Sequence, residues 1–434
     1  MPRKSSSIPK SHFLGHQIDP SLETTRISGP VGFLNPTRVH LKPTRKSKEE
    51  EEQEESAQPA ISEKEPKKRE RVSRRQPRIE YLWRSRDNRK GRHAVHVQYS
   101  PKHHGPGHNL PASTNSFREI LSNIYRMVTY FPYWDVSWLV ATIFTLGSVV
   151  WVINAFFVWL PLEDPSTEFS GESLTGGGIT AFIGATIFEV GSVLLLLEAV
   201  NEKHTACFGW AVETVMKRLE SHEDPIKTTV VRRFESNECE HHHAKRHSFL
   251  RDGLKETSPE EERSFQWLPS WTELRTHYFH ELGFLASLVQ LIGATIFWIA
   301  GFTGLPGIID HMSWGLTDGV YWVPQIVGGF CFVLSGFLFT IETQPKWYIP
   351  APSILGWHIG AWNFIGGIGF TLCGALGPAS SSSGVEYQTC LATFWGSWAF
   401  LIGSVIQWYE SVDKFPVEVK SPSLSEVPSD ETDV

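Results

Sequence analysis

Residues 179–198 read Ile-Thr-Ala-Phe-Ile-Gly-Ala-Thr-Ile-Phe-Glu-Val-Gly-Ser-Val-Leu-Leu-Leu-Leu-Glu, twenty positions with a single charge, Glu189, in their interior. At about 1.5 Å per residue a helix of that length covers the ~30 Å of a bilayer's hydrocarbon. Five more stretches of the same kind lie at 136–160, 282–304, 322–341, 354–376 and 391–409. The mean hydropathy of −0.19 over 434 residues conceals them, because residues 1–133 are polar and hold 25 of the 40 Lys+Arg. This division excludes a compact soluble enzyme. It predicts an all-α fold, a six-transmembrane-helix bundle with a disordered cytosolic N-terminal arm.

Orientation follows from where positive charge is missing. Twelve further Lys+Arg lie between the second and third stretches, Lys346 lies between the fourth and fifth, and Lys414 and Lys420 follow the sixth. The three remaining loops carry acids, among them Glu163, Asp164, Asp310, Asp318 and Glu386. Cytosolic loops collect Lys and Arg, so both termini are expected in the cytosol and the location is the endomembrane system or the plasma membrane. No cleavable signal peptide is read, because residues 1–16 lack an apolar core. The expected division is an arm at 1–130, a hairpin at 131–200, a partly helical cytosolic loop at 201–265, a second hairpin with an interfacial helix at 266–342, a third at 343–410, and a disordered tail at 411–434.

The stretches resemble one another. Ala-Thr-Ile-Phe recurs at Ala141, Ala185 and Ala294, and Gly191-Ser192 and Gly403-Ser404 each precede a glutamate, Glu198 or Glu410, by the same distance. Three repeated helical hairpins are the simplest reading. Glycines recur every seven residues at Gly184 and Gly191, Gly329 and Gly336, Gly360, Gly367 and Gly374, and Gly396 and Gly403. Small residues on one helix face allow close backbone approach, so these are expected packing seams. Ser270-x-x-Glu273 matches a capping box ahead of the third span.

The run from Gly396 to Trp408, Gly-Ser-Trp-Ala-Phe-Leu-Ile-Gly-Ser-Val-Ile-Gln-Trp, resembles the second helix of YrhK-like transmembrane hairpins. Over residues 130–415 the chain is similar to fungal multi-pass integral membrane proteins. The resemblance implies a fold and a membrane location, and carries no catalytic residues.

Polar groups at membrane depth are the candidate sites. Glu189 is the one acid deep in a span, and such a carboxylate is protonated, paired or beside a wet cavity. Either it is a protonatable transport site or it is a neutral acid held inside the bundle by an amide or hydroxyl. A second set forms a cytosolic-end collar: Asp135, Glu198, His280, Glu281, Glu342, His358 and Glu410. Negative charge is disfavoured at a helix C-terminus, so these glutamates need partners, for which the nearby histidines, Arg275 and Lys346 are candidates. The same groups could take a divalent cation, but a structural collar is the expectation, with no metal and no cofactor. Cys373 and Cys390 both approach the outer membrane face, where a bridge could form, but two unrelated buried thiols are the expectation.

In the arm, the glutamate run at 49–55 and the basic block at 67–75 read as solvated disorder, the block suiting anionic cytosolic-leaflet lipid. His93, His96, His103, His104 and His108, and Glu238 to His243, read as incidental metal binders. Residues 208–219 have amphipathic spacing, and Ser5 to Ser7 and Ser73 are candidate phosphosites. The expected partners are the bilayer and unidentified proteins, with no nucleic acid. The expected function is a non-enzymatic membrane organising, sensing or interaction component. The alternative is a small proton- or cation-conducting transporter using Glu189 and the Glu/His collar. No histidine box, nucleophile elbow or phosphate loop points to an enzyme.

Overall fold

The computed structural model describes residues 22–43, 78–92, 95–98, 114–202, 205–208, 265–414 and 416–420. In chain order these form strands β1 (Leu22–Ser28), β2 (Arg38–Pro43) and β3 (Arg78–Arg84), the short helix α1 (Ser85–Arg89), strand β4 (Val95–Gln98) and helix α2 (Phe117–Thr129). Then come the long helices α3 (Val136–Glu163) and α4 (Gly178–Val200), the short α5 (Trp271–Thr276), α6 (Leu282–Thr303), α7 (Val323–Glu342), α8 (Leu355–Leu376) and α9 (Ser383–Val412), and strand β5 (Val417–Lys420).

The six long helices close their backbone hydrogen bonds within themselves, as a chain in lipid must. All six are long and apolar enough to cross a membrane. Their outer faces expose large apolar side chains such as Leu146, Ile153, Ile292, Phe330 and Leu372. This is the surface of an integral membrane protein. Each long helix packs on the next in the chain, and α9 packs back on α3, which closes a ring of six. Inside the ring every helix contributes one aromatic: Trp151, Phe188, Phe297, Phe332, Phe370 and Phe400, all buried. Their rings meet mostly edge to face, Trp151 on Phe370 with centroids 4.8 Å apart and Phe188 on Phe400 at 5.6 Å, the geometry ring quadrupoles favour.

The seven-residue glycines sit between helices. Gly184 and Gly191 face Trp151 and Phe144 of α3, and Gly396 faces Gly366 and Gly369. The closest approach is α7 against α8. A Cβ at Gly367 would lie 2.5 Å from the Val333 backbone nitrogen, and one at Gly360 would lie 2.6 Å from that of Thr340. Gly329, Gly336 and Gly374 meet backbone of the partner helix in the same way, and Gly403 faces Trp362 and Asn363.

Two expectations change. The fold is mostly helical but not all-α, because the described parts of the arm and tail form a five-stranded sheet in the order β1-β2-β3-β4-β5. The first four strands pair antiparallel and β5 runs parallel to β4, with Val95 opposite Val417. Where the arm and tail are described they are therefore ordered, and their ends meet in one sheet. The charge blocks predict disorder, but Ile79, Tyr81, Leu82 and Trp83 give β3 the aromatic and β-branched content that favours a strand. The sixth span also starts earlier than expected, at Ser383. Its polar first turns escape a hydropathy reading, and the Tyr387 hydroxyl there donates to Glu163 at 2.7 Å. The capping box is present in full, with the Ser270 hydroxyl accepting from Glu273 N–H and the Glu273 carboxylate accepting from Ser270. Cys373 and Cys390 are free thiols.

Residues 49–55, the 67–75 block, Ser5 to Ser7, Ser73, His93, His103, His104, His108, 238–243 and most of 208–219 lie outside the described residues.

Candidate functional site

Helix α1 is five residues long and has no side-chain cap at its start. An isolated helix of that length does not persist in water, so its contacts hold it. Arg86, Arg89 and Lys90 stand at i, i+3 and i+4, which puts them on one face. Each takes one glutamate from the end of a different long helix. Arg86 Nη2 donates to Glu410 Oε2 at 2.7 Å, and Arg89 grips Glu342 through two bonds of 2.6 and 2.9 Å. Lys90 Nζ reaches Glu198 at 3.3 Å. The six residues are between 0 and 5% exposed, so these pairs are shielded from solvent in a way surface pairs are not.

The bundle makes room for the plug. Gly283 and Gly356, near the starts of α6 and α8, leave the space that Arg89 and Arg86 fill. Gly91 ends α1 with φ of +60°, and a Cβ there would meet the Thr205 hydroxyl at 2.7 Å. Around this frame, Ser85 Oγ donates to Glu342, Arg92 donates to Asp87 and Glu410, and Asn88 donates to Glu202. The tail joins in, since Lys414 pairs with Asp135 at 2.7 Å and also donates to the Lys90 carbonyl. Asp135 is at the same time the N-cap of α3.

Burial alone would draw the proton from the Arg89 guanidinium, but the charge and hydrogen bonds of Glu342, with Glu198 and Glu202, hold its pKa above the ordinary value. Lys90 goes the other way: burial, then the neighbouring guanidiniums, lower its pKa against the pull of Glu198 and Glu410.

Below the plug the interior is layered. Ser148, Gln290, Ser335, Asn363, Ser404 and Gln407 line a cavity of about 40 Å³, with Arg86, Arg89 and Lys90 at one end and Phe188 and Phe400 at the other. At ~10–15 Å³ per water this holds about three. Glu198, Glu342 and Glu410 each follow a core phenylalanine, Phe188, Phe332 or Phe400, by ten residues. That shared interval sets the carboxylates at one depth, where a single short helix reaches all three.

Of the expected collar, the structure brings Asp135, Glu198, Glu342 and Glu410 under the arm, with different partners from those anticipated. His280 is exposed, and its carbonyl accepts from Asn35 N–H at 2.8 Å. His358 Nε2 lies 2.7 Å from the Pro352 carbonyl. Arg275 is exposed, and Lys346 lies over the Tyr348 ring. The cations come instead from residues 86–92, within the arm that its charge blocks predict to be disordered. Glu281 is buried beside His277, with Nε2 and Oε1 3.5 Å apart. With Glu202 these two present ligand atoms within 4.8 Å of one another, so among the described residues they are the group that could hold a divalent cation. Burial first, then the nearby Glu281 charge, pushes the Glu202 carboxyl well above its usual range. Burial likewise raises that of Glu281.

Glu189 lies elsewhere, on the seam between α4 and α6. The Thr295 hydroxyl donates to its Oε1 at 2.9 Å, and Oε2 is buried without a hydrogen-bond partner among the described residues. It is not among the residues that line the cavity. No family model, curated protein or solved structure matches the chain.

Proposed function

We propose that this integral membrane protein is a non-enzymatic organising or interaction component, a closed six-helix bundle that carries a folded head for partners on the cytosolic side. The observation that carries the reading is the arm plug: three buried cations, Arg86 and Arg89 of α1 and Lys90 at its C-cap, neutralise one glutamate from each of α4, α7 and α9. The layer of six aromatics beneath it fills the middle of the ring. A bundle sealed at two depths suits a scaffold better than a conduit. The pairing of β5 with β4 supports both chain ends lying on one side, and the distribution of Lys and Arg supports that side being cytosolic.

The internal cavity favours one second reading, a conductor whose path opens when the plug leaves. In that case the path runs through the ring interior and not past Glu189. Reconstitution in liposomes with proton- and potassium-sensitive dyes tests the first reading. The full chain is expected to leave the leak of empty vesicles unchanged. Flux above that leak overturns the scaffold reading in favour of conduction.

A further inference from the structure

Helix α2 has an apolar face that the bundle does not cover. Phe117, Leu121, Ile124, Tyr125 and Val128 are 49–76% exposed. At ~100° per residue these five fall within about 100° of the helix circumference. Asn123 and Met127, on a different side, are buried, and α2 packs on α9. The third side carries Arg118, Ser122 and Arg126. The Ser116 hydroxyl caps the helix by accepting from Glu119 N–H, so the stripe is held in register. The helix thus has three distinct sides, one for the bundle, one polar and one apolar.

We infer that the apolar side binds the phospholipid leaflet, and that α2 lies in the plane of the headgroup–acyl boundary. Three observations select lipid over a protein partner. The chain enters the first span at Val136, seven residues after α2 ends, so the stripe stands at membrane height. The connection between them exposes Tyr130, Phe131 and Tyr133, and aromatic rings favour that depth. Arg126 stacks over Tyr130, 5.5 Å from its centroid, and Arg118, only ~20° round the helix from Tyr125, stands exposed on the boundary between the apolar and polar sides. There a guanidinium can reach lipid phosphate while its stem stays on apolar surface. Through α9 the helix is tied to Glu410, so a leaflet that holds α2 fixes the height of the plug's receiving end.

The inference rests on the integral-membrane reading, and the experiment separates the two. Single cysteines at Ile124, Val128, Ser122 and Ile153 are introduced into the full chain with all five native cysteines, Cys207, Cys239, Cys331, Cys373 and Cys390, replaced by Ser or Ala. Each is labelled with an environment-sensitive dye, and the protein is placed in nanodiscs of mixed phosphatidylcholine and phosphatidylserine. Lipid spin-labelled near the glycerol is expected to quench most of the emission at positions 124 and 128, and little at 122. Labels at 124 and 128 that behave like the one at 122, while 153 in the span is quenched by deeper spin labels, overturn the inference and leave the membrane reading standing. An unquenched label at 153 removes both. Labels at 124 and 128 that are shielded from water but not quenched by lipid also overturn it, in favour of a second copy on this face.

Discussion

Arg89 and Glu342 are 253 positions apart in the chain and meet through two hydrogen bonds in a site closed to solvent. Neither residue could be left there alone. Removing one member of a buried pair strands the other's charge, which costs about 3–5 kcal/mol, whereas replacing both with apolar residues is often neutral. Arg89→Ala and Glu342→Ala are each expected to lower the thermal midpoint of the full chain in detergent. An Arg89→Met, Glu342→Leu pair should recover much of the loss. Additive losses in a thermal double-mutant cycle of Arg89→Met, Glu342→Leu and the two together would show that the contact is not what holds α1.

The head should respond to pH through Glu202 and Glu281. Both carboxyls are held above the ordinary value of 4.5, by burial first. Between that value and the raised one, the folded state keeps protons that the unfolded chain has released. Stability from these groups is therefore full below about pH 4.5 and declines as pH climbs through the folded pKa. Glu202→Gln keeps an acceptor for Asn88 and removes the titration. It is expected to flatten the fall in thermal midpoint between mildly acidic and alkaline buffer, and to raise the alkaline value. A midpoint whose pH dependence is the same in the variant would refute this.

The α7–α8 seam predicts a contrast between two glycines. Gly367 has the Val333 backbone where its Cβ would go, whereas Gly384 has nothing within 4 Å. Overpacking of this kind costs about 1–3 kcal/mol, while alanine for glycine at an open helical position is neutral or stabilising by up to ~1 kcal/mol. Gly367→Ala should thus lower the thermal midpoint and Gly384→Ala should hold or raise it. Equal effects would mean the seam relaxes without strain.

Span positions were readable because apolar length is a local property of the chain, and α3, α4, α6, α7 and α8 begin within about one residue of where hydropathy puts them. The plug was not readable in the same way. Its pairs join residues 108 to 324 positions apart, and the arm offers 25 basic residues with nothing local to select three. Two signals were nevertheless there. Three glutamates at helix C-termini require cations from the same side of the membrane, and Arg86, Arg89 and Lys90 share a helical face directly after a strand rich in aromatic and aliphatic residues. Histidines are the partners that nearness to the helix ends suggests. Side-chain direction decided otherwise, with His280 exposed and His277 turned toward Glu281. Helix α2 escapes a hydropathy reading because its five apolar positions are diluted by charge in any span-length window, although their helical period is plain.

Glu189 separates structure from transport most directly. Its one bond comes from Thr295, and its other oxygen is buried with no described partner. A charged carboxylate at that depth is costly, and an amide of the same shape keeps the acceptor for Thr295 while removing the charge. If the side chain merely bridges α4 and α6, Glu189→Gln leaves the thermal midpoint level or raises it, and liposomes holding the variant are as tight as those holding the parent. Thr295→Val then costs roughly 1–3 kcal/mol, because the buried carboxyl loses its single donor. A carboxyl that works as a proton site gives the opposite pattern: a parent that conducts, and a Gln variant that folds as well but does not. Measuring both the midpoint and the flux on the same preparation therefore decides the role of Glu189, since the bridging account allows no change in flux and the transport account requires one.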